Sequence, residues 1–221
     1  WRREDLSILD RAQFIRANTS LMTPPLVPEV QLYLAHEAVP LWQKTEEELG
    51  ELGLPPPFWA FAWAGGQALA RHVLDHPGIV QGKRVIDLAS GSGLVGIAAM
   101  KAGAASVLAA DIDAFSVEAI VLNAEVNGVS LEATGRDLLE QPAQGCDVIL
   151  VGDLFYEKGL AAKVFAWLEE AEGRGIVTLI GDPGRSYLPR EKLKKRGEYK
   201  VQVTRDLEDA EVKLTSVWRL S

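Results

Sequence analysis

The sequence predicts an open α/β domain whose sheet is mostly parallel and seven strands wide, preceded by a helical extension. Three observations predict it. From residue 83 onward short β-branched runs alternate with helical runs, the pattern of strands joined by crossover helices. The first of these strands runs into a glycine-rich turn and then a helix. The last two strands are separated only by Glu208, Asp209 and Ala210. A link that short allows only antiparallel pairing, because parallel strands need a long crossover.

Taken in order, residues 4–17 space Leu6, Ile8, Leu9, Phe14 and Ile15 along one helical face, and Pro24, Pro25 and Pro28 end that element. A second helix is expected over 38–50. Three prolines at 55–57 then impose an extended entry, followed by Trp59, Phe61 and Trp63 at period two. Gly65 and Gly66 precede a helical run over 67–77 and mark a close approach of the backbone to something. The alternation that follows gives a strand at 84–89, a helix at 93–103, a strand at 106–111 and a helix at 114–128. It continues with a short strand at 131–135, a strand at 146–153, a helix at 159–173 and a fifth strand at 175–182. A short helix is expected at 188–197 and the closing strands at 199–207 and 211–220. No internal repeat or low-complexity segment interrupts the chain. Residues 58–221 read as one domain and 1–57 as an addition to it.

The composition narrows the function. The chain has 221 residues, 48% of them hydrophobic and 24% charged, with no apolar run long enough to span a bilayer. A formal net charge of −8 repels phosphate backbones, so nucleic acid is not expected as a partner, whereas a basic protein segment is tolerated. One cysteine, Cys146, excludes an internal disulfide framework, and three scattered histidines offer no metal-ligand spacing. A reducing compartment, no metal and no membrane are the expectations. The first twenty residues carry arginines at amphipathic spacing, but Glu4, Asp5 and Asp10 are acids that transit peptides avoid.

The turn after the first parallel strand is a literal G-x-G-x-x-G at Gly91, Gly93 and Gly96. Nicotinamide dehydrogenases and methyltransferases both place such a turn there, and both want an acid on the ribose about 20 residues later, where Asp111 stands. Asp87 separates them. It sits within the strand four residues before Gly91, where an anion repels a pyrophosphate but suits a ligand bearing a sulfonium and an ammonium. Alternatively, Asp87 is a carboxylate bonded to loop amides. Asp113 is the better N-cap for the helix starting at Ala114, which leaves Asp111 for the ribose hydroxyls. Asp137, after the third strand, is either an adenine contact or a turn residue.

After the fourth strand the chain reads GDLFYEKG, with Asp153, Phe155 and Tyr156 in a D-x-x-Y arrangement at the carboxyl edge of the sheet. A carboxylate there can position a lysine amine and stabilise the ammonium product, and an aromatic ring adds a cation–π wall worth about 0.5–2 kcal/mol. The alternative is that Asp153 caps the following helix while the aromatics pack.

The seven-strand plan and the stretch VIDLASGSG resemble the class I methyltransferase fold and its signature, with Ala89 in place of the signature's first glycine. The acidic–aromatic stretch resembles that of protein-lysine methyltransferases of this plan. PPFWAFAWAGGQALARHVLDHP, GDLFYEKGLA and LIGDPGRSYLP are similar to the lysine methyltransferases of the electron transfer flavoprotein β subunit, as are NTSLMTPPLVPEVQLYLA and TSVWRL. The likeness implies S-adenosylmethionine as cofactor and that β subunit as protein substrate. It implies that Trp59, Trp63, Gly65 and Gly66 line the cofactor pocket, and that Asp87, Ala89, Gly91, Gly93, Asp111, Ile112 and Asp137 contact the cofactor. It places Asp153 and Tyr156 as catalytic residues, with Phe155, Asp182 and Arg185 facing the incoming lysine. It also implies a bacterial cytoplasm, or the mitochondrial matrix if a presequence has been removed. Other readings are methylation of a different protein such as a ribosomal protein, an NAD-dependent oxidoreductase, and a non-catalytic cofactor-binding protein. The oxidoreductase lacks a Tyr-x-x-x-Lys pair or a hydride-positioning histidine.

Overall fold

The computed structural model describes residues 8–36, 56–203 and 212–220. The helix expected over 38–50 and the link at 208–210 lie outside the described residues. Helix α1 (Ile8–Asn18) is followed by a two-stranded antiparallel sheet of β1 (Ser20–Met22) and β2 (Leu32–Leu34). Sequence reading did not anticipate this pair, because its connection carries the three prolines that look like punctuation alone.

The main domain contains α2 (Ala64–Asp75), β3 (Arg84–Leu88), α3 (Leu94–Lys101), β4 (Ser106–Ala110), α4 (Ala114–Val126) and β5 (Glu132–Thr134). It continues with β6 (Val148–Gly152), α5 (Lys158–Gly173), β7 (Val177–Asp182), β8 (Leu193–Gln202) and β9 (Val212–Leu220). Its seven strands lie in the order β5-β4-β3-β6-β7-β9-β8, parallel from β5 to β7, with β9 antiparallel to both neighbours. The predicted closing hairpin is therefore present. The chain builds outward from β3 on one side, then returns to add β6 on the other. That reversal opens a crevice at the carboxyl ends of β3 and β6, where open α/β sheets bind ligands.

Strands covered on both faces read as unbroken apolar runs, and Val148, Ile149, Leu150 and Val151 of β6 are all fully buried. Leu150 faces the core under α2 and α3 with Leu69, Ile97 and Val217, whereas Ile149 and Val151 face the core under α5 with Phe155, Leu168 and Ile180. A smaller core holds α1 against α4 through Ile15, Trp59, Phe61 and Phe115.

The helix expected at 188–197 is not formed. Arg190–Lys192 make a single 3-10 turn, and β8 begins at Leu193. Leu193 is buried and pairs with Leu220, and the run of cations after it becomes an exposed sheet edge with a bulge between Lys195 and Gly197. Charged side chains and a bulge are common guards of an edge strand, and they hid the strand from a reading based on periodicity.

Helix α2 lies unusually close to the sheet. A methyl added at Gly65 would collide with the carbonyl oxygen of Gly181, and one at Gly181 would strike the Gly65 carbonyl and Leu69. A methyl at Gly152 would come within 3.0 Å of the Gly66 Cα. Backbone thus packs on backbone, as the paired glycines before this helix suggested. Gly181→Ala is expected to lower the unfolding free energy by about 1–3 kcal/mol, the usual cost of overpacking, measured by urea denaturation.

Candidate active site

A cavity of about 510 Å³ opens at the carboxyl edge of the sheet, within the range of small-molecule sites. One wall is the turn after β3. Ala89, Gly91 and Gly93 all have positive φ, at 52°, 55° and 83°. Gly93 is the N-cap of α3, and its amide donates to the Ser90 carbonyl. Ala89 therefore holds a left-handed conformation that costs a side-chain-bearing residue about 1–2 kcal/mol.

Asp87 braces this turn from below. Its Oδ2 accepts from the Ser90 hydroxyl at 2.5 Å and from the Gly96 amide at 2.8 Å. The loop-amide reading of Asp87 is thus realised, and the residue also lines the cavity. Burial pushes its carboxyl up to about 7, although both hydrogen bonds favour the charged form.

Asp111 directly follows the next strand. Its Oδ2 accepts from the Gly91 amide at 2.9 Å and its Oδ1 from the Asp113 amide at 3.0 Å, and burial raises its pKa. Asp113 caps α4 through the Phe115 and Ser116 amides, as expected. Each Asp111 oxygen keeps a lone pair for a further donor. Asp137 accepts from the Leu139 amide and pairs with Lys163 at 3.0 Å, so it is a turn residue that also lines the cavity.

The opposite wall holds Asp153, the first residue after β6. It is buried in a left-handed conformation with φ 59°. Its Oδ2 accepts from the Gly65 amide and its Oδ1 from Arg185 Nε at 2.6 Å. Burial pushes this carboxyl up to about 6, and the Arg185 charge opposes that rise. Arg185 is delivered by the turn after β7, where Asp182 Oδ1 accepts from the Gly184 and Arg185 amides and Gly184 has φ 99°. The guanidinium also lies 5.9 Å from the Trp63 ring. Glu157, not Asp153, caps α5, through the Gly159 and Leu160 amides.

Of the residues singled out from sequence, Trp63, Gly66, Asp87, Ala89, Gly91, Asp111, Ile112, Asp137, Asp153, Tyr156 and Arg185 line one cavity. Five do not. Trp59 is buried and stacks on Phe115, because Phe58–Ala60 form a 3-10 turn in place of the expected extended run, and the turn separates Trp59 from the side shared by Phe58, Phe61 and Trp63. Phe155 is fully enclosed in the α5 core. Gly93 packs behind the turn against Ile120, Gly65 acts through its amide, and Asp182 acts through the turn it caps. Sequence reading missed Phe58, Arg136, Leu138 and Leu139, which come from irregular segments without periodicity. Phe58 packs against both Trp63 and Tyr156, with ring centroids 5.9 Å away in each case. No group of metal-ligating side chains occurs among the described residues, and no described helix is long and apolar enough to cross a membrane.

Residues 68–154 match the family model for ribosomal protein L11 methyltransferase. The chain is 41% identical over 175 residues to the electron transfer flavoprotein β-subunit lysine methyltransferase of Xenopus laevis, covering 78% of this chain and 70% of that one. It is 35% identical over 212 residues to the mouse protein of the same name, covering 93% and 82%. Among solved structures it is similar to magnesium protoporphyrin IX methyltransferase from Synechocystis, determined with bound S-adenosylmethionine. The TM-score is 0.52 at 18% identity, over 71% of this chain and 80% of that one.

Asp87 and Asp153 have folded pKa values of about 7 and about 6, above the ordinary 3.8. The native state thus binds protons that the unfolded chain has released, and this contribution to stability is lost as pH rises toward 7. The ligand-free protein is expected to melt at a higher temperature at pH 5 than at pH 8 in scanning calorimetry. Asp87→Asn should flatten the slope between pH 6 and 8.

Proposed function

The chain belongs to the family of electron transfer flavoprotein β-subunit lysine methyltransferases, and from that premise we propose that it transfers methyl groups from S-adenosylmethionine to a lysine of that β subunit. One observation carries the site assignment: a buried carboxylate fixed at the end of β6 opens onto the same cavity as the glycine turn after β3.

The cavity chemistry fits this cofactor. Five acids, Asp87, Asp111, Asp113, Asp137 and Asp153, line it against three cations, Arg136, Lys163 and Arg185, and Asp111 has acceptor capacity left beside the Gly91 amide. Such a floor favours a ligand carrying an ammonium and a sulfonium and disfavours a pyrophosphate, which weighs against the oxidoreductase reading. When bound, S-adenosylmethionine supplies an activated methyl group on a positively charged sulfur. We assign the ribose hydroxyls to Asp111, the adenine to the side of the cavity formed by Ile112 and Asp137, and the methionine end to the turn braced by Asp87.

Asp153 then receives the acceptor lysine. A free lysine amine has a pKa of about 10.4 and arrives protonated, so its proton must pass to water before transfer. The Arg185 guanidinium disfavours a second cation beside it and so promotes that loss. Asp153 orients the neutral amine and stabilises the ammonium that forms, a role that requires it to be ionised. Trp63 and Tyr156 line the same cavity, where an aromatic ring can add cation–π stabilisation to that charge. The compartment would be that of the β subunit, either the cytoplasm of a bacterium or the mitochondrial matrix.

Labelled S-adenosylmethionine incubated with the purified β subunit tests this reading. Asp153→Asn should lower kcat about 10²–10³-fold, the usual loss when one preorganised polar group is removed, while calorimetric affinity for S-adenosylhomocysteine stays unchanged. Binding of NADH in place of S-adenosylhomocysteine, or a wild-type rate in the variant, would refute it. Arg185→Met removes the charge that holds Asp153 ionised, so the acid limb of the pH–rate profile should move to higher pH.

A further inference from the structure

The upper part of the β8–β9 hairpin carries side chains that neither core nor cavity uses. Asp182, the last residue of β7, pairs with Ser216 of β9, and Ser216 with Glu198 of β8. Strand residues beyond this rung, Lys200–Gln202 and Val212–Leu214, therefore project past the carboxyl edge of β7, the edge on which the cavity opens. Faces follow from alternation. Val217 and Val201 point into the core under α2, whereas Trp218 packs against the α5 core. Ser216, Leu214 and Val212 consequently share the α5 face, the same face as Asp182 and the turn that delivers Arg185.

On that face Val212 and Leu214 are 50% and 56% exposed, and they stand beside one another at successive same-face positions. Two more exposed apolar side chains belong to the neighbouring loops: Tyr187, whose amide donates to the Phe155 carbonyl, and Tyr156 at the cavity mouth. β9 lies two strands from β6, about 10 Å, and Leu214 is two residues above the Asp182 rung, about 7 Å. A lysine side chain is only a few ångströms long. A protein that inserts one toward Asp153 must lay its flanking surface over this rim.

Charge adds a second constraint. Lys200 pairs across the hairpin with Leu214, and Arg190 packs over Gly184 beside the Arg185 turn. Neither forms an ion pair among the described residues, and both are exposed on a chain whose net charge is −8. Two exposed cations, Lys200 and Arg190, thus border the apolar patch on a protein that is acidic as a whole.

We propose that Val212 and Leu214, with Tyr187, form the docking face for the folded protein substrate, received as an apolar surface whose acidic groups, where it has them, meet Lys200 and Arg190. This rests on the proposed function, which supplies the substrate. The face sets recognition of the protein and takes no part in cofactor binding.

The experiment compares wild type with the double variant Val212→Glu/Leu214→Glu, and with Val212→Ser/Leu214→Ser, on the purified electron transfer flavoprotein β subunit. Val121→Glu is the control: Val121 is 48% exposed on α4, beyond the opposite end of the sheet. The glutamate pair is expected to raise KM for the β subunit at least about tenfold, the loss typical of an interface anchor, and the serine pair by less. Affinity for S-adenosylhomocysteine and kcat at saturating substrate should be unchanged, and the control should behave as wild type. Raising the salt concentration should weaken wild-type KM and leave Lys200→Ala less sensitive. A wild type that leaves the β subunit unlabelled overturns the functional reading, and the docking assignment with it. A wild type that labels the subunit while the glutamate pair keeps its KM within twofold overturns the docking face alone. The same holds if the substitutions merely convert a dimer of this chain to monomer in sedimentation.

Discussion

The contact on which the acceptor side of the site depends is the bare approach of α2 to β6 and β7. Gly65 and Gly66 meet Gly181 and Gly152 with no side chain between them. Only at that distance can the Gly65 amide, in the first turn of the helix, reach Asp153 Oδ2. The first-turn amides of a helix have no partner within the helix and sit at the positive end of its dipole. A buried carboxylate at the end of β6 supplies what that amide lacks. Helix, strand end and acid are therefore one unit, and the tight packing of small residues is a condition of the chemistry as well as of the fold.

The second tie on Asp153 is made differently. Arg185 reaches it from a turn whose shape is set by Asp182, which accepts two amides of that turn, and by Gly184 in a conformation other residues avoid. Asp182 is itself buried, its second oxygen has no hydrogen-bond partner among the described residues, and burial raises its pKa. A second carboxylate close to Asp153 opposes its ionisation, and the guanidinium between them offsets that repulsion. Asp153 is thus held near the point where its charge is available at physiological pH. Neither burial alone nor the arginine alone would put it there.

The regular elements of the sheet were legible because their signals are local. β3, β4, β6 and β7 are apolar runs separated by amphipathic helices, and the few residues joining the last strands forced an antiparallel closure. The two β-type elements that escaped, the β1–β2 pair and the start of β8, consist of proline-punctuated or cationic residues whose strand character comes from a partner and not from periodicity. The site shows the same division. Acids at strand ends could be read from their position, because topology brings the ends of β3, β4, β5 and β6 to one edge. Side-chain direction could not. Trp59 and Phe155 are aromatic and lie within one or two residues of lining positions, yet both turn into a core. The charge argument singled out Asp87, which lines the cavity, but its contacts are with Ser90 and Gly96, so any influence on a ligand is shared with its role in holding the turn.

That turn is also held from behind. Asn123 of α4 is fully buried, donates to the Ser92 carbonyl at 2.7 Å, and accepts from the Tyr33 amide of β2 at 2.8 Å. One side chain therefore joins the glycine turn to the N-terminal β1–β2 pair, and Asn127 one helical turn later adds a second tie between α4 and the N-terminal segment through Gln31. A buried amide with both ends bonded is costly to break, since either partner lost leaves a polar group stranded at about 1–3 kcal/mol. The N-terminal segment and the carbonyl of Ser92 are thus tied to one another through a single buried residue. The segment that looked in sequence like an appendage to the methyltransferase domain is, by this bond, part of the frame that keeps its glycine turn in place.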